Sequence, residues 1–149
     1  MLSDAWSFKS KTNNSLLAFK QSTNKFDYVW FIFNKLSHYC ADYPRITSTQ
    51  IRGNCHYAVV MTTRVYTCFT EWYDKFYKNN KKVIPLDLYY YLNYEVLAHW
   101  IMGDGTKLKT GLVLQTQSFT VKEVTFIIRA GLRSKPGSAG ATYFIINLI

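Results

Sequence analysis

The apolar positions in the first eighty residues fall into two helical runs separated by two extended ones. Phe26, Val29, Trp30, Phe33 and Ser37 recur every three or four residues, which predicts a helix over about residues 26–39 with one face able to cover a sheet. The polar run before it, with Gln21, Ser22, Thr23 and Asn24, reads as a strand end and a turn. Pro44 limits any continuation of the helix. Residues 46–52 and 55–63 then read as strands joined at Arg52-Gly53-Asn54, most economically as a hairpin. A second amphipathic helix over residues 65–77 would carry Phe69, Trp72, Tyr73 and Phe76 on one side. The basic, Asn-rich stretch Lys78-Asn79-Asn80-Lys81-Lys82 interrupts the pattern and suggests a division into residues 1–83 and 84–149.

The second part is patterned differently. After Pro85, residues 86–94 suggest a short helix, and residues 95–102 a further one ending at Gly103-Asp104-Gly105, where glycines permit close approach and unusual dihedrals. Residues 107–109 and 112–117 form a predicted hairpin. Thr120-Val121-Lys122-Glu123 has the spacing of a capping box, which predicts a helix over residues 121–128. Residues 131–140 read as a loop, and residues 142–149 as one last strand, apolar enough to be a liability if left as an open edge.

The chain of 149 residues is 48% hydrophobic and 17% aromatic, which argues against global disorder. Its formal charge of +9 favours a polyanion or an anionic surface as partner. Residues 1–83 hold twelve basic and five acidic side chains, a balance of +7, against six and four, a balance of +2, in the remainder. Most backbone phosphate contacts are therefore expected in the first half. Cys40, Cys55 and Cys68 are an odd number without a C-x-x-C pair, so reduced, buried thiols are expected rather than a disulfide framework or a zinc knuckle. His38 and His56 show no zinc-site spacing with them. No apolar run approaches the roughly 18 residues that span a bilayer, and Asp4 stands where a leader would be basic and then apolar, so neither membrane insertion nor secretion is expected.

A weak internal repeat carries the most information. Leu16-Leu17-Ala18-Phe19-Lys20-Gln21-Ser22 parallels Leu112-Val113-Leu114-Gln115-Thr116-Gln117-Ser118, and each segment follows an acid: Asp4 in Leu2-Ser3-Asp4-Ala5 and Asp104 in Met102-Gly103-Asp104-Gly105. Two copies of an αββαββα unit would use such a spacing. The stretch Leu97-Ala98-His99-Trp100-Ile101-Met102-Gly103-Asp104-Gly105, followed by a hairpin and a capped helix, resembles the nine-residue motif of the LAGLIDADG homing endonucleases, closest to the organellar, intron-encoded branch. His99 and Met102 depart from the motif, as does Ala5 in the first copy, which survives only as Met1-Leu2-Ser3-Asp4-Ala5. His99 itself reads as a helix-packing residue, and Tyr89, Tyr90 and Tyr91 as packing rather than base-stacking residues.

The resemblance implies an α+β fold of αββαββα repeats with antiparallel DNA-binding sheets, the first repeat lacking most of its motif helix and the second incomplete. It also implies hydrolysis of one phosphodiester in each strand of double-stranded DNA. Motif helices packed side by side would bring Asp4 and Asp104 together as the ligands of Mg²⁺, with Mn²⁺ as the alternative. Gln21 and Gln117 would orient water or phosphate, and Lys81 or Lys82 would supply positive charge. On the hairpins, Arg45, Gln50, Arg52, Lys107, Lys109 and Gln115 are candidates to read the major groove or hold phosphates. Two-motif members act as monomers and are encoded in organellar introns, which implies a mitochondrion ahead of a plastid. A non-cleaving DNA-binding remnant and a maturase that binds intron RNA are the alternative readings.

Overall fold

The computed structural model describes residues 3–109, 111–116, 119–132 and 144–147. The chain divides into two compact units, Ser3–Asp74 and Lys75–Ile149.

The first unit is built on four antiparallel strands: β1 (Ala5–Lys9), β2 (Ser15–Ser22), β3 (Arg45–Ile51) and β4 (Asn54–Thr62), in the spatial order β1-β2-β4-β3. Between β2 and β3 runs α1 (Phe26–Leu36), flanked by single 3₁₀ turns at Thr23–Lys25 and Ser37–Tyr39, so the predicted helix over 26–39 ends in a tighter turn. The β3–β4 connection is the expected hairpin, turned through two residues. Arg52 (φ 50°) and Gly53 (φ 81°) both adopt positive φ, the conformation whose twist matches that of paired strands.

Cross-strand register assigns the faces. Phe19 lies opposite Met61, and Gln21 opposite Val59. Phe19, Val59 and Met61 meet Val29, Phe33 and Cys40 in one buried cluster beneath α1, each large side chain there contributing about 1.5–3 kcal/mol of burial. Helix α2 (Thr67–Phe76) lies over the same face: Lys9 pairs with Asp74 at 2.8 Å and stands 5.1 Å above the Tyr73 ring, and the backbone N–H of Ser15 donates to Thr70. The opposite face, with Lys20, Val60 and Arg45 in one row, carries no helix of this unit. On α2, Tyr73 and Phe76 are buried as expected, but Trp72 is 40% exposed, because its position lies about 100° around the helix from Tyr73.

In the second unit, the basic segment after α2 forms a minimal hairpin, β5 (Tyr77–Lys78) with β6 (Lys81–Lys82), turned through Asn79 and Asn80 at positive φ. Of the short helix expected after Pro85, only a 3₁₀ turn at Leu88–Tyr90 forms. Helix α3 (Tyr94–Asp104) begins at Asn93, whose side chain accepts from the Val96 N–H. It runs directly into β7 (Gly105–Leu108), which pairs with β8 (Gly111–Gln115). The predicted capping box starts α4 (Val121–Leu132): the Thr120 N–H donates to Glu123 at 2.7 Å, and the Glu123 N–H reaches Thr120 Oγ1 at 3.4 Å. The other Glu123 oxygen accepts from the Ile84 N–H at 2.7 Å, tying the helix start to the segment after β6. The last strand, β9 (Phe144–Asn147), pairs in parallel with β8, so this sheet is mixed, and α4 lies on the crossover that a parallel pair requires. Among the described residues of this unit, Phe76, Ile84, Leu88, Trp100, Val113, Leu114, Val124 and Ile127 are buried hydrophobics.

Candidate active site and nucleic-acid interface

Asp4 sits at the bend immediately before β1. Ala5 lies opposite Phe19 on β2, so Gln21, two residues further on, emerges on the same face, 8% exposed. There its amide Nε2 donates to Asp4 Oδ2. Two residues separated by the first hairpin, both singled out in the sequence, are thus in direct contact. Tyr28, from α1, packs edge-on against Phe19 at 5.7 Å, and burial followed by the charge of Asp4 pushes its hydroxyl above the ordinary tyrosine range. Among the described residues the hydrogen-bonding partner of Asp4 is this neutral amide rather than a cation. A carboxylate held by a neutral amide still offers hard oxygen donors to a cation.

Asp104 is the last residue of α3, where Gly105 donates its N–H back to the carbonyl of Ile101. Gly105 has an ordinary extended backbone (φ −80°), so the expected unusual dihedral is not the reason for glycine here. The reason is close approach: a Cβ at this position would stand 2.4 Å from the Ile101 carbonyl oxygen. The sharp passage from helix to strand fixes Asp104 directly before β7, as Asp4 is fixed before β1. Gln117 lies outside the described residues. Lys81 is exposed and Lys82 half-buried on β6, and His99 is half-buried on α3.

The register separates the basic and polar candidates of the first sheet. Arg45 shares the helix-free face with Thr47, Thr49, His56, Lys20 and Ser22, whereas Gln50 pairs with Cys55 on the side that carries α1 further along. Both Arg45 and Gln50 are exposed, so burial alone would not have distinguished them; Arg52 stands in the exposed turn. Lys20, Thr49 and His56 were not singled out as DNA contacts in the sequence because only the pairing of β2 and β3 with β4 brings them to one surface. In the second unit Lys107 and Lys109 are exposed, and Gln115 is half-buried.

Among the described residues, no group of three or more His, Cys, Asp or Glu could hold a metal. Cys40 is buried, with burial raising its thiol pKa, but Cys55 and Cys68 are exposed, contrary to the expectation of buried thiols, because they lie beyond the part of each element that packs. No helix among the described residues is long and apolar enough to cross a membrane.

Residues 1–135 match the profile of the LAGLIDADG DNA endonuclease family. The chain belongs to that family. Among curated relatives, it is 33% identical over 129 residues to cytochrome b mRNA maturase bI2 of Debaryomyces hansenii, covering 83% of this chain and 49% of the relative. It is 34% identical over 106 residues to intron-encoded endonuclease ai4 of Dictyostelium discoideum, covering 66% and 65% respectively. The homing endonuclease I-WcaI, solved bound to its DNA recognition sequence, superposes with a TM-score of 0.79 at 29% identity over 87% of this chain and 61% of that one. The chain thus spans less than two thirds of each. Within this family's mixed α+β architecture, α3 is the helix read as the motif, and Asp104 closes it.

Proposed function

We propose that the chain acts as a sequence-specific, divalent-metal-dependent endonuclease on double-stranded DNA, built from LAGLIDADG-type halves at residues 1–83 and 84–149. The observation that carries this reading is the Gln21–Asp4 contact: an acid set directly before a strand and oriented by an amide, in a chain whose second half sets Asp104 directly before β7. Similarity to a homing endonuclease bound to its DNA recognition sequence supports the choice of substrate.

Asp4 and Asp104 are the proposed protein ligands of Mg²⁺ or Mn²⁺; such a cation typically takes one or two carboxylates and completes its shell with water and phosphate oxygens. Bound there, it would lower the pKa of a water and neutralise charge on the leaving oxygen. Gln21 holds Asp4 in orientation, and Lys81 or Lys82 supplies positive charge toward the phosphate. On the first sheet Arg45 and Lys20 meet phosphates or guanine edges while Thr49 and His56 face bases in the major groove, and Lys107, Lys109 and Gln115 serve the second half.

The test is Mg²⁺-dependent cleavage of a DNA library of candidate intron-insertion junctions. Site-specific double-strand breaks that disappear in Asp104→Asn are the expected result. Specific binding without cutting would instead identify a DNA-binding remnant. A second reading, an intron-RNA maturase, is favoured by the similarity to cytochrome b mRNA maturase bI2 and is separated by competition: intron RNA would displace duplex DNA at equal concentration. The same similarity supports a mitochondrial setting, which fractionation would check.

A further inference from the structure

We propose that Thr116 is the second-half counterpart of Gln21, a buried hydroxyl that positions Asp104; the inference rests on the nuclease reading above. The internal repeat aligns Gln21 with Gln117, but strand pairing aligns it differently. In the first unit the residue after the acid, Ala5, lies opposite Phe19, and the positioning amide stands two residues beyond, at Gln21. In the second unit the residue after the acid, Gly105, lies opposite Leu114. Two residues beyond Leu114 is Thr116.

The one-residue difference arises in the hairpins. Lys9 and Ser15 close the first across five intervening residues, whereas Leu108 and Gly111 close the second across two, so the returning strands are offset against the sequence repeat. Because side chains alternate between faces, a one-residue offset decides which residue shares a face with the residue after the acid. The environment of Thr116 agrees: it is 1% exposed, as Gln21 is 8% exposed, and these are two of the few buried polar side chains among the described residues. It follows the last residue of β8, and its carbonyl accepts from the Phe119 N–H at 2.9 Å, which fixes the backbone just beyond the strand.

The halves are then chemically unequal. An amide donates to the acid in the first, and a shorter hydroxyl is offered in the second. On the nuclease reading, with one acid in each half and one phosphodiester cut in each strand, each half serves one strand, so loss of one positioning group slows one strand selectively, whereas a general folding defect slows both.

The experiment follows the two strands separately on an end-labelled duplex containing a cleavable site, with the full chain, Gln21→Ala, Thr116→Val, Thr116→Ser and Gln117→Ala. Thr116→Val is expected to slow one strand about tenfold or more, the scale of losing one hydrogen bond to a charged group. Thr116→Ser restores that strand, and Gln21→Ala slows the other. Equal slowing of both strands in Thr116→Val, no rescue by serine, or a strand-selective loss in Gln117→Ala but not in Thr116→Val overturns the inference while leaving the nuclease reading intact. Unfolding of Thr116→Val with normal folding and strand rates in Thr116→Ser assigns the hydroxyl to stability alone and also overturns it. No cleavage of either strand by the unaltered chain overturns both readings.

Discussion

Gln21 donates its amide N–H to the carboxylate of Asp4 across seventeen residues of sequence, at the point where the chain enters its first strand. The contact exists because β1 and β2 pair in the register that sets Ala5 opposite Phe19. Tyr28 and Phe19 pack beside it, so the pair is held by side chains that also build the core.

Removing the amide should impair the acid without dismantling the sheet. Gln21→Ala is expected to lower cleavage roughly tenfold or more, in line with about 1.5–3 kcal/mol for a hydrogen bond to a charged group. Single-turnover kinetics at saturating Mg²⁺ would measure it; an unchanged rate would separate Gln21 from the chemistry.

Gly105 and Gly53 should respond unequally to alanine. At Gly105 the new Cβ meets backbone 2.4 Å away, and a cost on the order of 2–4 kcal/mol is expected from forced displacement of the α3 terminus. Gly53, at φ 81° with nothing within 4 Å, carries only the conformational cost, about 1 kcal/mol. Urea denaturation of the two variants ranks them, and equal midpoints would contradict the close-approach argument.

Acid should loosen the start of α4. Burial works to raise the pKa of Glu123, but hydrogen bonds from the Ile84 and Thr120 N–H groups and the Thr120 hydroxyl outweigh it and hold the carboxyl below its ordinary value. A depressed folded-state pKa gives stability that is present above the unfolded pKa and lost as pH falls through the folded one. Thermal melts from pH 7 downward should therefore show a loss in the carboxylate range that is smaller in Glu123→Gln. Parallel curves would remove Glu123 from the linkage.

The two faces of the β3–β4 hairpin should behave differently on DNA. Arg45→Ala is expected to weaken binding and reduce the salt slope by about 1 if it meets phosphate, and Thr49→Ala or His56→Ala to relax the preference at particular base pairs by about 1–3 kcal/mol. Gln50→Ala, on the side that carries α1, should do less than either. Binding-site selection across salt concentrations distinguishes these effects, and a dominant loss at Gln50 would reverse the assignment of faces.

Much of the architecture could be read locally. The spacing of Phe26, Val29 and Phe33 announced α1, Arg52-Gly53 announced a hairpin, and Thr120 with Glu123 announced the start of α4, because each signal is satisfied within a few residues of chain. The repeat and the motif-like end of α3 also pointed to Asp4 and Asp104, each of which stands directly before a strand.

What the sequence by itself determined, then, is what depends on neighbours in the chain: helix faces, caps and tight turns. Tertiary structure decided what depends on register between distant strands. It alone sets Gln21 against Asp4, separates Arg45 from Gln50, brings Lys20 and His56 to one surface, and pairs the apolar segment Phe144–Asn147 in parallel with β8 at the edge of its sheet. The physical reason is the two-residue period of a strand: a shift of one position exchanges the faces of every side chain, and the sequence repeat does not state that shift.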